Sequence, residues 1–344
     1  MSLRNFPSWL ISVCGSRTPQ EDARPDLRGI IGSLLNVVSY TPSNNPHVAT
    51  STTDALEKAL VGEVESWDVD DGHDGAQFAS ISKKAVSLIQ FWYSRHSFDE
   101  KFTFALYAFF FYIDDCVGKP GLDDYQRRLM MGLPQVDPVL THYQRVLGKL
   151  YDHWDPISAD AMVCAAMEFM NGSILENRHE IMGLTVAPTA PNWPKYLRAK
   201  SGLGSGAAFA IFPKQAHPDI SAYIQVVPDI DEFTCLANDI LSFYKEELAG
   251  ETTNYVHFRS RTTSKPPKQV LAEMVREASN LHVRIAATLA RHPEALAAWR
   301  TFENGFIAWH LSIKRYKLSE LGFQYLKLET PNSDSYSSFK ESVY

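Results

Sequence analysis

Cysteine is scarce in this chain of 344 residues, and its four copies (Cys14, Cys116, Cys164 and Cys235) lie far apart. With no Cys-x-x-Cys pair and no accompanying histidine spacing, a disulfide framework and a thiolate zinc site are both excluded, and a reducing cytoplasm is the expected setting. Long apolar runs are missing too. The longest, residues 102–113, is interrupted by Thr103 and bounded by Lys101 and Asp114. A bilayer span needs about 20 residues, so this run is predicted to be a buried helix and no membrane span is expected. No basic segment leads into a sustained apolar stretch near Arg4, Ser8 and Cys14, so no secretory signal is expected. Positive charge is not in excess: 33 basic against 40 acidic residues give a net charge of −7, which removes the electrostatic reason to expect nucleic acid. Strand signals are scarce, and a fixed-period repeat, a Gly-x-Ser-x-Gly elbow and a Walker loop are absent.

What is present is apolar content and helical period. Hydrophobic residues make up 45% and charged residues 21%, enough for a large core and too apolar for disorder. Apolar positions recur at three- and four-residue spacing over 27–38, 52–67, 76–95, 100–117, 135–153, 158–181, 193–211, 219–249, 267–291 and 293–320. Thr52, Thr53, Asp54 and Ser158 read as N-terminal caps, Gly118 and Gly250 as stops. The expectation is an all-α fold: an irregular arm over 1–26, one helical domain over 27–329 and a polar tail over 330–344. The basic, proline-containing stretch 259–267 is predicted to be a mobile loop.

Two segments carry candidate chemistry. Asp114 and Asp115 close the aromatic run that begins at Tyr107. A helix C-terminus already carries partial negative charge, so two carboxylates there call for a cation, and their hard oxygens suit Mg²⁺. An acidic pair that merely opens into a solvated loop is the competing reading. The second segment, Asn238-Asp239-Ile-Leu-Ser242-Phe-Tyr-Lys245-Glu246, places Asn238, Ser242 and Glu246 at i, i+4 and i+8. Four-residue steps drift by roughly 40°, so the three share one stripe of a helix. Ile230, Phe233 and Leu236 make the preceding turns apolar, so a polar triad there needs a reason. Lys245 could reach an anion held nearby.

An aspartate-rich motif followed some 120 residues later by NDILSFYKEE resembles the class I terpene cyclases, and within them the fungal trichodiene synthase group. Tyr196-Leu-Arg198-Ala-Lys-Ser-Gly202-Leu-Gly204 is similar to that family's diphosphate-sensing stretch, and Trp309-His310-Leu-Ser-Ile-Lys-Arg315-Tyr316 to its C-terminal Arg-Tyr motif. The resemblance implies a single-domain class I terpenoid synthase fold, with antiparallel helices around a central apolar cavity. It implies Mg²⁺, three ions in all, held by Asp114 and by Asn238, Ser242 and Glu246, with Asp115 behind Asp114. Arg198, Lys245, Arg315 and Tyr316 would donate to the diphosphate, and Tyr107 would line the cavity mouth. The implied activity is ionisation and cyclisation of farnesyl diphosphate, with relatives that often pair as homodimers. One departure stands out: Cys116-Val117-Gly118 follow the acidic pair where the family often has a further acid. A C20 cyclase, a chain-elongating prenyltransferase and a non-catalytic isoprenoid-binding homologue stay open as alternatives.

Three other features read as structural. Gly202-Leu-Gly204-Ser-Gly206 follows no strand, so close helix packing or a helix break is expected rather than a dinucleotide loop. Glu176-Asn-Arg178-His179-Glu180 lacks metal-ligand spacing and reads as a charged helical face. His310 reads as a satisfied buried histidine. The 19 Phe, 15 Tyr and 7 Trp permit an aromatic pocket without demonstrating one.

Overall fold

The computed structural model describes residues 19–42, 50–67, 69, 75–115 and 121–323, the side chains of 19–25, 50, 75, 76, 114 and 115 excepted. Among them every regular element is helical: α1 (Pro19–Val37), α2 (Thr50–Glu65), α3 (Gly75–Trp92), α4 (Phe98–Tyr107), α5 (Phe110–Asp115), α6 (Tyr125–Met130), α7 (Pro138–His153), α8 (Pro156–Glu176), α9 (His179–Met182), α10 (Trp193–Ser201), α11 (Gly204–Ala210), α12 (Val227–Leu248), α13 (Tyr255–Thr263), α14 (Pro267–Leu289) and α15 (Pro293–Ser312). The all-α expectation is met.

Local chemistry sets the boundaries. Ser97 and Glu100 close a capping box on α4, and the Asp137 and Asp155 carboxylates accept backbone N–H groups ahead of Pro138 and Pro156, each a proline in the first turn of its helix. Ser158 is therefore not a cap; it is buried, and its hydroxyl lies 3.1 Å from that of Tyr223. Gly250, at φ +70°, sits just past α12 as a glycine stop should.

Several elements depart from the period-based expectation. α1 begins at Pro19, inside the stretch expected as an arm; Pro25 lies within it and hides the pattern. Residues 1–18 and 324–344 lie outside the described residues, and so does Gly118. The single helix expected over 100–117 breaks after Tyr107, where Phe109, Phe111 and Tyr112 donate to carbonyls three residues back instead of four. The span 193–211 divides at Gly202, and α12 starts at Val227 after two 3₁₀ turns rather than at 219. The loop expected over 259–267 is mostly helix α13, pinned to α14 by a bidentate ion pair from Arg259 to Glu277 at 2.7 and 2.8 Å.

One continuous apolar core runs from Leu27 to Leu321. Within it α12 packs against α11 and α14, and α8 against α10, α11 and α5, while α3 is covered by α15, α2 and α4. The polar stripe of α12 thus emerges beside α10 and the chain that follows α15. No helix among the described residues is long and apolar enough to cross a membrane.

Candidate active site

Helix α12 turns Ile230, Phe233, Ile240 and Leu241 into the core. Asn238, Ser242, Lys245 and Glu246 fall on that one continuous helix, as the spacing predicts. Asn238 and Glu246 are half-buried and Ser242 is 3% exposed. Amide, hydroxyl and carboxylate oxygens form a hard donor set, which fits Mg²⁺ better than a softer metal. Lys245 Nζ donates to Glu246 Oε1 at 3.2 Å.

Arg198 reaches this stripe from α10. Its Nε lies 2.9 Å from both Asp239 oxygens, and its Nη2 donates to Asn238 Oδ1 at 3.2 Å and to the Cys235 carbonyl at 3.4 Å. The two charged side chains are only 16% and 13% exposed. Burial pushes the Asp239 carboxyl up to about 6 despite the opposing pull of Arg198. Burial alone would lower the Arg198 pKa, but Asp239 and the surrounding acids more than offset this and raise it, so Arg198 stays charged. Desolvation also raises Asp231 to about 6 and the Cys235 thiol to about 12.

The glycines explain how Arg198 comes so close. A Cβ on Gly202 would lie 2.6 Å from both Arg198 Nη1 and Cys235 Sγ, and one on Gly204 would strike the Asp231 side chain. Glycine is thus needed at both flanking positions for close approach, while Leu203 between them takes the left-handed turn at φ +49°. This is the helix break and close packing expected of the Gly-Leu-Gly-Ser-Gly stretch.

The third wall is the chain after α15, where Lys314–Tyr316 and Leu318–Leu321 form 3₁₀ turns. The buried Tyr316 ring packs on His310 at 4.6 Å and on Trp309 at 5.7 Å, and Lys245 Nζ stands 5.9 Å from its centre. Tyr244 donates to Glu320 at 3.0 Å, tying these turns to α12. Arg315 is exposed on the first turn. His310 is fully buried, with Nδ1 2.8 Å from the Phe306 carbonyl and Nε2 3.1 Å from Asn238 Nδ2. Burial lowers its pKa to about 3, so the ring is neutral.

Arg198, Asn238, Ser242, Lys245, Glu246 and Tyr316 are thus gathered around one stretch of α12. Tyr107 is fully buried and its hydroxyl donates to the Met162 carbonyl at 2.8 Å, where a Cβ on Gly206 would meet it. Asp114 and Asp115 end α5, and their side chains lie outside the described residues. Sequence reasoning assigned no role to Asp239 and read His310 as structural. A buried arginine demands a carboxylate, and that was the available signal for Asp239.

Glu176 to Glu180 is a helix end: α8 stops at Glu176, and Arg178, His179 and Glu180 are exposed. No group of three His, Cys, Asp or Glu side chains placed to hold a metal occurs among the described residues.

A family model described as trichodiene synthase (TRI5) matches residues 74–342. Terpene synthase BipA of Cochliobolus sativus is 33% identical over 302 residues, covering 86% of this chain and 90% of its own. Monoterpene synthase 25 of Postia placenta is 33% identical over 58% of this chain and 59% of its own. Among solved structures, the crystal structure of an a-eudesmol synthase matches with a TM-score of 0.54 at 16% identity, over 78% of this chain and 96% of that one. That likeness bears on the fold alone.

Proposed function

The chain belongs to the trichodiene synthase family of terpene synthases, and from that premise we propose that it is a Mg²⁺-dependent sesquiterpene cyclase that ionises farnesyl diphosphate and cyclises the resulting cation. The observation that carries this reading is the meeting of Arg198 with Asn238 on the polar stripe of α12, a cationic donor set against a hard-oxygen ligand set. That is the pairing an allylic diphosphate requires. Asn238, Ser242 and Glu246 would hold one part of a three-ion Mg²⁺ set and Asp114, with Asp115 behind it, another. Bound there, Mg²⁺ would neutralise negative charge on the departing diphosphate.

The protein's own part follows from its side chains. Arg198, Lys245, Arg315 and Tyr316 donate hydrogen bonds to diphosphate oxygens, which stabilise the charge that grows as the allylic C–O bond breaks and both electrons leave with oxygen. Lys245 and Tyr316 already stand together, so ammonium and phenol arrive as one unit. Half-buried rings at Phe78, Phe110, Phe111, Trp92 and Trp309 offer π faces that attract a cation without supplying a strong nucleophile. Cyclisation would require water to be kept from the cation until the rings have closed.

The C15 chain length draws on the family, whose name is that of a C15 product, while one relative is named for monoterpenes. The deciding experiment offers the purified protein geranyl, farnesyl and geranylgeranyl diphosphates with and without Mg²⁺, and analyses the extracts by gas chromatography–mass spectrometry. A Mg²⁺-dependent cyclic C15 product is expected. A C10 or C20 cyclic product would correct the chain length alone, and longer linear diphosphates would replace cyclisation by elongation. A folded protein that turns over none of the three would overturn the reading.

A further inference from the structure

We propose that His310 is a positioning residue for Asn238, fixing the amide so that its oxygen, and not its nitrogen, faces the diphosphate side of α12. The inference deepens the proposed function and rests on it.

Hydrogen-bond polarity carries the case. Four groups form a line: the Phe306 carbonyl, the His310 ring, the Asn238 amide and the Arg198 guanidinium, at spacings of 2.8, 3.1 and 3.2 Å. The two ends can each do only one thing. A backbone carbonyl accepts, so His310 Nδ1 must carry the hydrogen. A guanidinium donates, so the amide atom facing it must be Oδ1. The middle contact then follows: with Oδ1 turned to Arg198, Asn238 Nδ2 faces the ring and donates, so His310 Nε2 presents the lone pair. Reversing the amide would set N–H against N–H at Arg198 and oxygen against a lone pair at His310, losing two part-buried hydrogen bonds at once.

Arg198 is the end expected to leave when it turns to the diphosphate. Asn238 Oδ1 is then released, and only His310 still holds the amide in place. Without His310 the two amide orientations become close in energy, and the wrong one points N–H groups at a cation. Interactions that orient a metal ligand in this way are commonly worth 10- to 100-fold in metal affinity. The surroundings favour rigidity: His310 is fully buried, and its ring packs at a tilt against Phe306 at 4.5 Å and Tyr316 at 4.6 Å.

Two variants separate positioning from packing. His310→Gln places an amide oxygen where Nε2 stands and keeps the acceptor; His310→Phe keeps the bulk and removes it. The readout is isothermal titration of Mg²⁺ into protein saturated with inorganic pyrophosphate, which needs no turnover. His310→Phe is expected to weaken Mg²⁺ by about 10-fold or more, with His310→Gln within about threefold of wild type. In an Asn238→Asp background, where a carboxylate has no wrong way round, the penalty of His310→Phe should largely vanish. Equal affinity in wild type and His310→Phe, or equal loss in both His310 variants, overturns the inference.

Should His310→Phe fail to fold, nitrogen NMR of the wild-type histidines without Mg²⁺ decides, since an unprotonated Nδ1 on His310 breaks the line. Failure of the underlying reading looks different: the wild-type protein itself would bind no Mg²⁺ in the presence of pyrophosphate.

Discussion

Arg198 turns a single nitrogen, Nε, toward both carboxylate oxygens of Asp239, 2.9 Å from each, while its Nη2 serves Asn238. The arginine proposed to meet the diphosphate is thus held, without ligand, by an internal carboxylate on the same helix as the proposed metal ligands. Asp239 acts as a stand-in for the anion.

Removing one partner of this pair should therefore cost stability as well as activity. Arg198→Ala leaves the Asp239 carboxylate largely buried and unpaired, and a loss of about 2–3 kcal/mol is expected, below the full buried-pair penalty because both groups keep some solvent contact. Arg198→Ala with Asp239→Asn should recover at least half of it, since no charge is then stranded. Urea unfolding midpoints of the two proteins test this. An Arg198→Ala protein as stable as wild type would show that the pair holds nothing in place.

Asn238→Ala and Glu246→Ala should each lower product formation by more than about 100-fold with far-ultraviolet circular dichroism unchanged, because each removes an oxygen that would meet the metal and neither lies in the apolar core. Full product yield from either variant would remove α12 from the metal site. On the other wall, Asp114→Ala is expected to hurt more than Asp115→Ala, and the reverse order would exchange their roles.

Gly202→Ala probes the close approach of α10 to α12. The added Cβ would lie 2.6 Å from Arg198 Nη1 and from Cys235 Sγ, and 2.8 Å from the Arg198 carbonyl. The guanidinium can move but the backbone carbonyl cannot easily follow, so about 1–3 kcal/mol of overpacking strain is expected. The readout is a lowered melting temperature together with a weakened response to pyrophosphate. A melting temperature matching wild type would mean that the α10–α11 turn yields freely.

These sites differ in how far the sequence disclosed them. The stripe Asn238–Ser242–Glu246 is a matter of helical period alone, and α12 carries it as expected. The partner of Arg198 was hidden because Asp239 lies 41 residues away and its pairing depends on how α10 crosses α12. His310 was legible as a satisfied buried histidine through Phe306, one turn back on its own helix, but not as a neighbour of Asn238, 72 residues distant. The break after Tyr107 was missed because a continuous apolar pattern cannot reveal where a helix tightens from four-residue to three-residue hydrogen bonds. Periodicity reports which face is buried; which helices meet, and through which side chains, is decided by tertiary packing.

The acid limb of stability should be shaped in part by His96. Its Nε2–H donates to the Ala210 carbonyl at 2.8 Å, and the ring lies 5.0 Å from Tyr93. Burial lowers its pKa to about 4, against smaller contributions from Ala210 and Glu100 that raise it, with Lys101 and His217 pushing in the same direction as burial. An unfolded histidine takes its proton near 6.5, so between about 6.5 and 4 the unfolded chain binds a proton that the folded chain refuses. The stability contributed by the neutral ring is therefore complete above that window and lost as pH falls through it, by about 2–3 kcal/mol at pH 4.5. Asp231 and Asp239, raised to about 6 by burial, act with the opposite sign over part of the same range, so the wild-type profile alone would not isolate the effect. The difference between wild type and His96→Gln does, because glutamine can keep the hydrogen bond to Ala210 and does not titrate. Unfolding free energies at pH 7.5 and pH 4.5 should show the variant gaining about 2–3 kcal/mol relative to wild type on acidification. A pH-independent difference would mean that the folded protein accepts the His96 proton as readily as the unfolded chain does.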